Sequence, residues 1–202
     1  MSADEISPTP INYRDIADLV LRVQDLKELK RQGWVARGVP DPESVADHSY
    51  GVALLALIFA RRLHLDLGRV LTMALLHDLG ESIIGDVIPA DNMAPADKTA
   101  AEEQAMRDVL GHLDPAGELV SQWLDFHHRR SPEGQLVGEL DKLEMAFQAD
   151  RYENATRLDL SEFFTYVEDR LCSPEFLALL RRLQQDRSAR QLEANSAPPA
   201  KG

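Results

Sequence analysis

The adjacent pair His77-Asp78 lies in the helix-like run MALLHDLGESIIGD, where an imidazole and a carboxylate interrupt what should be a continuous apolar face. A divalent metal would explain both. Two neighbouring side chains cannot enclose an ion alone, so this reading needs ligands of the right type on neighbouring helices. His48 in ESVADHSYGVALLALIFA and Asp141 in VGELDKLEMAFQAD supply them. A lone inward histidine is ordinarily a hydrogen-bonded core residue, but a carboxylate on an apolar helical face is costly unless paired or metal-bound. A set of two His and two Asp leaves positions on an octahedral ion open for water and substrate. Glu81 and Asp86 follow Asp78 by three and eight residues, and Glu81, one helical turn on, can share its face. Carboxylates converging there repel one another unless cations or protons intervene. They point either to a general acid or base beside the metal water or to a second, harder ion such as Mg²⁺. The plainer alternative is that both face solvent at a helix end.

The elements that must position these groups are helical. Ile16, Leu19, Val20, Val23, Leu26 and Leu29 recur at the spacing of one helical face, predicting a first helix over 12–31. Gly33 and Gly38 bracket a loop carrying Trp34 and Arg37, and Pro40 and Pro42 keep the following chain extended. Ser44 can cap the N–H of Asp47, which can answer as in a capping box. That helix continues through Val52, Leu55, Phe59 and Leu63, and one step of four back from Val52 turns His48 inward. In the next helix Val70, Leu71, Ala74, Leu75 and Asp78 share the apolar stripe, with His77 a step around. A Gly- and Pro-containing loop, GDVIPADNMAPAD, follows, and helices are expected over 98–110, 115–128, 132–154, 161–171 and 174–187. No segment alternates with period two, so the fold class is all-α, a single-domain helical bundle over 12–188. Residues 1–11 are expected to be flexible and the small, polar tail 189–202 disordered.

Composition narrows the partners. The 202 residues suit one core, and 34 acidic against 22 basic residues give a net charge of −12, which disfavours broad contact with a nucleic-acid backbone. The longest apolar stretch, Val52 to Ala60, is about half of the ~20 residues that a membrane span needs. One cysteine, Cys172, read as a packing residue, forms no internal disulfide, and MSADEISPTP lacks the features of a signal peptide, so a cytoplasmic location is expected.

The stretches GWVARGVPDPESVADHSYGVA, ALLHDLGESIIGDVIPADN and ELDKLEMAFQADRYE resemble the HD-domain metal-dependent phosphohydrolases, whose signature is a distant His, an adjacent His-Asp and a later Asp. They look like the 5′-deoxynucleotidase branch, over roughly residues 15 to 185. That resemblance implies an HD-type helical domain, commonly a homodimer, that hydrolyses deoxyribonucleoside 5′-monophosphates to deoxynucleoside and phosphate by attack of a metal-bound water. His48, His77, Asp78 and Asp141 would hold the principal ion, Mn²⁺ or Co²⁺. Glu81, Asp86 and the carbonyl of Val87 match positions tied to a second cation, Mg²⁺; Glu81 or Asp86 would alternatively act catalytically in proton transfer. Trp34 matches an aromatic near the substrate pocket, able to pack on sugar or base, and Arg37 could meet the phosphate with its planar fork; the plainer alternatives are a buried staple for Trp34 and a surface charge for Arg37.

Two departures from that branch matter. Gly33 stands where bacterial relatives carry an Arg before the tryptophan, leaving Lys30, Arg31 and Arg37 as candidates for phosphate contact. FHHRRSPEG lacks the acidic residues those relatives carry near His127. The His127-His128 pair raises an alternative, the HD phosphodiesterases of cyclic dinucleotides, but Pro-Glu-Gly-Gln follows here in place of their Gly-Tyr-Pro signature; a helix C-terminus is the simpler setting for the pair. A different class of reading makes the ion a mere tie between helices of a non-catalytic binding protein. The open coordination positions argue against it.

Overall fold

The structure, a computed structural model, describes residues 12–88 and 94–196. Ten helices among the described residues form one bundle: α1 (Tyr13–Glu28), α2 (Gln32–Val35), α3 (Val45–Arg62), α4 (Leu67–Leu76), α5 (Glu81–Ile84), α6 (Pro95–Leu110), α7 (Glu118–His128), α8 (Pro132–Thr156), α9 (Ser161–Glu168) and α10 (Pro174–Ser196). No strand occurs among the described residues; Lys30 and Ser44 form an isolated antiparallel bridge. No described helix is long and apolar enough to cross a membrane. The expected flexible segment 1–11, part of the loop after Gly85 and the end of the tail lie outside the described residues.

α8 is the axis. Leu136, Val137, Leu140, Leu143, Ala146, Ala149 and Tyr152 are buried along it, because α3, α4, α7, α9 and α10 all pack against it. A helix apolar on so many sides must be surrounded. α3 buries Val45, His48, Val52, Ala56 and Ala60, steps of three and four that put His48 in line with the core. Its first turn is fixed by a capping box: the Ser44 side chain accepts from the Asp47 N–H at 3.1 Å, and Asp47 accepts from the Ser44 N–H at 2.9 Å. Ser44→Ala should cost about 1 kcal/mol, lowering the melting temperature by roughly 2–4 °C in a thermal melt.

The structure departs from the sequence reading in four places, of which those at α2 and α4 bear on the site. The first helix stops at Glu28 rather than 31, and the expected loop around Trp34 contains the single turn α2, whose first N–H, on Gln32, donates to Asp86 at 2.6 Å. That partner is 54 residues away in sequence, beyond the reach of local pattern. α4 buries Val70, Met73 and Ala74 and ends at Leu76, so His77, one further turn along that stripe, goes inward while Leu75 is exposed. α10 runs on through Ser196, into the stretch assigned to a disordered tail from 189. Arg190 joins it to α8 by bonding Asp150 and Asn154. Cys172, read as packing, is exposed.

Candidate functional site

Four side chains meet where the start of α3, the end of α4 and the middle of α8 converge. His48 Nε2 lies 3.2 Å from Asp141 Oδ1 and 3.8 Å from Asp78 Oδ2, and His77 Nε2 lies 3.1 Å from Asp78 Oδ2. The two imidazoles cross edge to face with centroids 5.3 Å apart. Both Nε2 atoms are buried and neither makes a well-aligned hydrogen bond, although each lies within ion-pair distance of a carboxylate. An uncompensated buried polar nitrogen is costly, and here two of them face two carboxylates.

The opposite face of each ring explains the orientation. His77 Nδ1 is 2.8 Å from the Ala74 carbonyl, which can only accept, so Nδ1 carries a proton and Nε2 points into the site. His48 Nδ1 is 2.6 Å from Glu144 Oε2. Carboxylate and carbonyl partners behind metal-binding histidines fix ring orientation and raise donor strength, so His48, His77 and Asp78 together could hold a divalent cation, with Asp141 beside them against His48 Nε2. Burial and the charge of Arg31 both lower the basicity of His48. The carboxylates of Asp141 and Glu144 override them and take its pKa up to about 9. A cation placed against Nε2 must displace that proton, coupling metal uptake to proton release. Glu144, one turn after Asp141 on the buried helix, is a site residue the sequence reading missed; its signal was an acid at i+3 from a candidate ligand. Glu144→Gln should weaken metal affinity about 10–100-fold, measured by titration calorimetry with Mn²⁺.

His77, Asp78 and Asp141 line a cavity of about 650 Å³, with His48 buried behind them. Glu81 also faces it, its Oε2 buried without a partner, and burial, followed by the charges of Asp78 and Asp86, pushes its carboxyl up to about 10. The convergence of carboxylates anticipated from spacing is thus present. Asp86 spends Oδ2 on the Gln32 N–H. The Val87 carbonyl accepts from Lys98 Nζ at 2.8 Å, so a second cation there competes with an ammonium already in place. Arg31 Nη1 lies 3.3 Å from Asp78 Oδ2. Of the three basic candidates for phosphate contact it is the one beside the ligand set. Arg37 sits at the rim in a two-point pair with Glu162, and Lys30 pairs with exposed Asp41 at 3.7 Å. Lys142 approaches Asp141 at 2.8 Å and also lines the cavity.

Trp34 is part of the cavity wall. Only 1% exposed, it packs on Phe163 and Tyr152 and donates Nε1–H to Glu43 at 2.9 Å. In this conformation it has no free face for a sugar or base, so its expected stacking role gives way to one of shaping the wall. His127 and His128 close α7 as anticipated. His127 faces Thr99 and Glu102 and belongs to no metal-holding group among the described residues. The cyclic-dinucleotide alternative therefore lacks its distinguishing ligands here.

Comparison with known proteins agrees with this geometry. The HD domain family matches residues 23–175. The 5′-deoxynucleotidase HDDC2 of Danio rerio is 40% identical over 170 residues, 82% of this chain and 84% of its own length. The protein of the same name from Homo sapiens is 35% identical over 190 residues, 92% of each chain. A solved structure of a conserved hypothetical protein from Pyrococcus furiosus is 37% identical, with a TM-score of 0.73 over 84% of this chain and 99% of that one. A predicted metal-dependent phosphohydrolase from Magnetospirillum magnetotacticum, 24% identical with a TM-score of 0.65 over 88% of this chain and 93% of that one, shares the fold.

Proposed function

Because the chain belongs to the HD domain family, we propose that it hydrolyses deoxyribonucleoside 5′-monophosphates to deoxynucleoside and phosphate, using a divalent cation held by His48, His77, Asp78 and Asp141. The observation that carries this reading is the pair of buried Nε2 atoms, neither in a well-aligned hydrogen bond, facing two carboxylates at the end of a cavity that also holds Glu81 and Arg31. The likeness to named 5′-deoxynucleotidases supports the substrate class. Mn²⁺ or Co²⁺ suits the mixed imidazole and carboxylate set, and a bound ion supplies Lewis-acid polarisation of the phosphoryl group and acidifies water.

The chain's own residues supply the rest. His48 and His77 present their lone pairs in fixed orientation, and Asp78 and Asp141 offset the cation's charge. Glu81 holds a proton at neutral pH in the metal-free protein; once a cation lowers its pKa, its carboxylate can take a proton from the attacking water. Arg31 has guanidinium donors beyond the one used on Asp78 and can meet phosphate oxygens, with Lys98 and Lys142 adding positive charge in an otherwise acidic protein. Asp86 ties the loop before α6 to α2 and so sets the position of Arg31. A second ion, Mg²⁺, held by Glu81, Asp86 and the Val87 carbonyl, requires Lys98 to withdraw. We place the working protein in the cytoplasm as a homodimer, the dimer being supported by Tyr50, Leu54 and Ile58, exposed apolar side chains four residues apart on α3.

Phosphate release should be measured over deoxyribonucleotides, ribonucleotides and cyclic dinucleotides with Mn²⁺, Co²⁺ and Mg²⁺. Turnover of deoxynucleoside monophosphates is expected. Turnover of cyclic dinucleotides alone would sink the proposal, and a chain that unfolds on chelation but hydrolyses nothing would make the ion structural.

A further inference from the structure

The cavity wall built by α6 and α7 carries a polar group that the steps above leave idle. Glu102 Oε2 lies 3.6 Å from His127 Nδ1, and Glu102 Oε1 lies 3.6 Å from Lys98 Nζ. His127 Nε2 is 3.3 Å from Thr99 Oγ1. The imidazole is held flat: it stacks on Trp123 with centroids 5.0 Å apart and planes 29° apart, and Trp123 in turn donates Nε1–H to the His77 carbonyl at 3.1 Å. The group is therefore rigidly referenced to the metal ligands. Burial lowers the basicity of His127, with His128 and Lys98 adding to the effect, so the ring is neutral at pH 7 and offers one donor and one acceptor.

The gap between Glu102 and His127 identifies the ligand chemistry. At 3.6 Å it is too long for a direct hydrogen bond. One oxygen about 2.8 Å from both atoms would bridge that separation, and both residues line the cavity. In the tautomer whose Nε2 accepts from the Thr99 hydroxyl, Nδ1 carries the proton, and that oxygen donates to a carboxylate while accepting from an imidazole N–H. A hydroxyl does both, whereas a carbonyl cannot donate and an ammonium cannot accept.

We propose that Glu102 and His127, steadied by Thr99 and Trp123, read a sugar hydroxyl of the substrate, which on a 2′-deoxyribonucleoside 5′-monophosphate is the 3′-hydroxyl. The subsite adjoins the ligand set through Trp123 and His77, so a sugar attached to a phosphate seated there reaches it. This proposal rests on the deoxynucleotidase reading and adds a specificity determinant to it. A site built to bond a hydroxyl rejects the analogue lacking it, because its own polar groups are then left unpaired.

The test compares kcat and KM for a deoxynucleoside monophosphate, its 2′,3′-dideoxy counterpart and p-nitrophenyl phosphate, all with Mn²⁺. The parent should prefer the 3′-hydroxyl in kcat/KM by about tenfold or more, mainly through KM. Glu102→Gln and His127→Gln, on different helices, should each lower kcat/KM on the deoxynucleotide about tenfold more than on the dideoxynucleotide. A parent that turns over both nucleotides equally well overturns the proposal, as do variants that lose equally on all three substrates. A parent that hydrolyses p-nitrophenyl phosphate but no deoxynucleotide instead overturns the deoxynucleotidase reading, and this proposal falls with it.

Discussion

Asp78→Asn should lower phosphate release by about a thousandfold or more, with metal affinity falling in parallel. Asp78 Oδ2 is the atom on which the site converges: it stands 3.1 Å from His77 Nε2, 3.8 Å from His48 Nε2 and 3.3 Å from Arg31 Nη1. An amide keeps the shape and loses the charge. Burial alone would favour the neutral acid at Asp78, but His77, Arg31 and His48 together hold it ionised, well below the usual carboxylate range. The sign for stability follows. A carboxyl depressed in the folded state contributes stability above its unfolded pKa and loses it as pH falls through the folded one. The metal-free variant should therefore melt lower than the parent at pH 7, and the difference should shrink toward strongly acid pH. Calorimetric titration with Mn²⁺, phosphate-release assays and melts across pH read all three effects. Full turnover in the variant would remove Asp78 from the ligand set.

Which parts of this arrangement could be read from sequence depends on the range of the interactions involved. His48 was legible because its orientation follows from the periodicity of its own helix and from a capping box three residues long. Asp141 was legible as a carboxylate on a buried helix. His77 and Asp78 were correctly paired, but the stripe was centred wrongly: Leu71 and Leu75 outweighed Met73, although the pattern Val70, Met73, Ala74, His77 is equally helical. α4 gives way to tighter turns at Leu76, where the Leu79 N–H bonds the Leu76 carbonyl. Long-range partners were not legible at all. The Asp86 bond to Gln32 creates a helical turn where Gly33 and Gly38 suggest a loop, and nothing near Val87 announces that Lys98 will take its carbonyl. For Trp34 the local pattern could not choose between a substrate contact and a buried staple, because Phe163 and Tyr152, which enclose it, arrive from distant helices.

Glu81→Gln should abolish most activity while making the metal-free protein more stable. The Glu81 carboxyl is buried, close to Asp78 and Asp86, and in the folded, metal-free state it stays protonated up to about pH 10, with Arg31 and Lys98 only partly offsetting the burden. The unfolded chain releases that proton near the ordinary value of 4.5. Between those limits the folded state binds more protons than the unfolded one, so stability contributed by this group is present below pH 4.5 and declines as pH rises toward 10. Glutamine matches the protonated form and does not titrate, so the decline disappears. At pH 7–8 the gain should be on the order of 2 kcal/mol, roughly 4–8 °C in melting temperature in the presence of chelator, vanishing near pH 4. Activity moves the other way. Without a carboxylate to take a proton from water, kcat should fall about 10²–10⁴-fold, even though His48, His77, Asp78 and Asp141 remain in place to bind Mn²⁺. A general structural defect would lower both stability and activity, so opposite movement of the two is the diagnostic result. Parallel stability curves for variant and parent across pH, or retention of near-parental kcat, would remove Glu81 from proton transfer and return it to the role of an incidental buried acid.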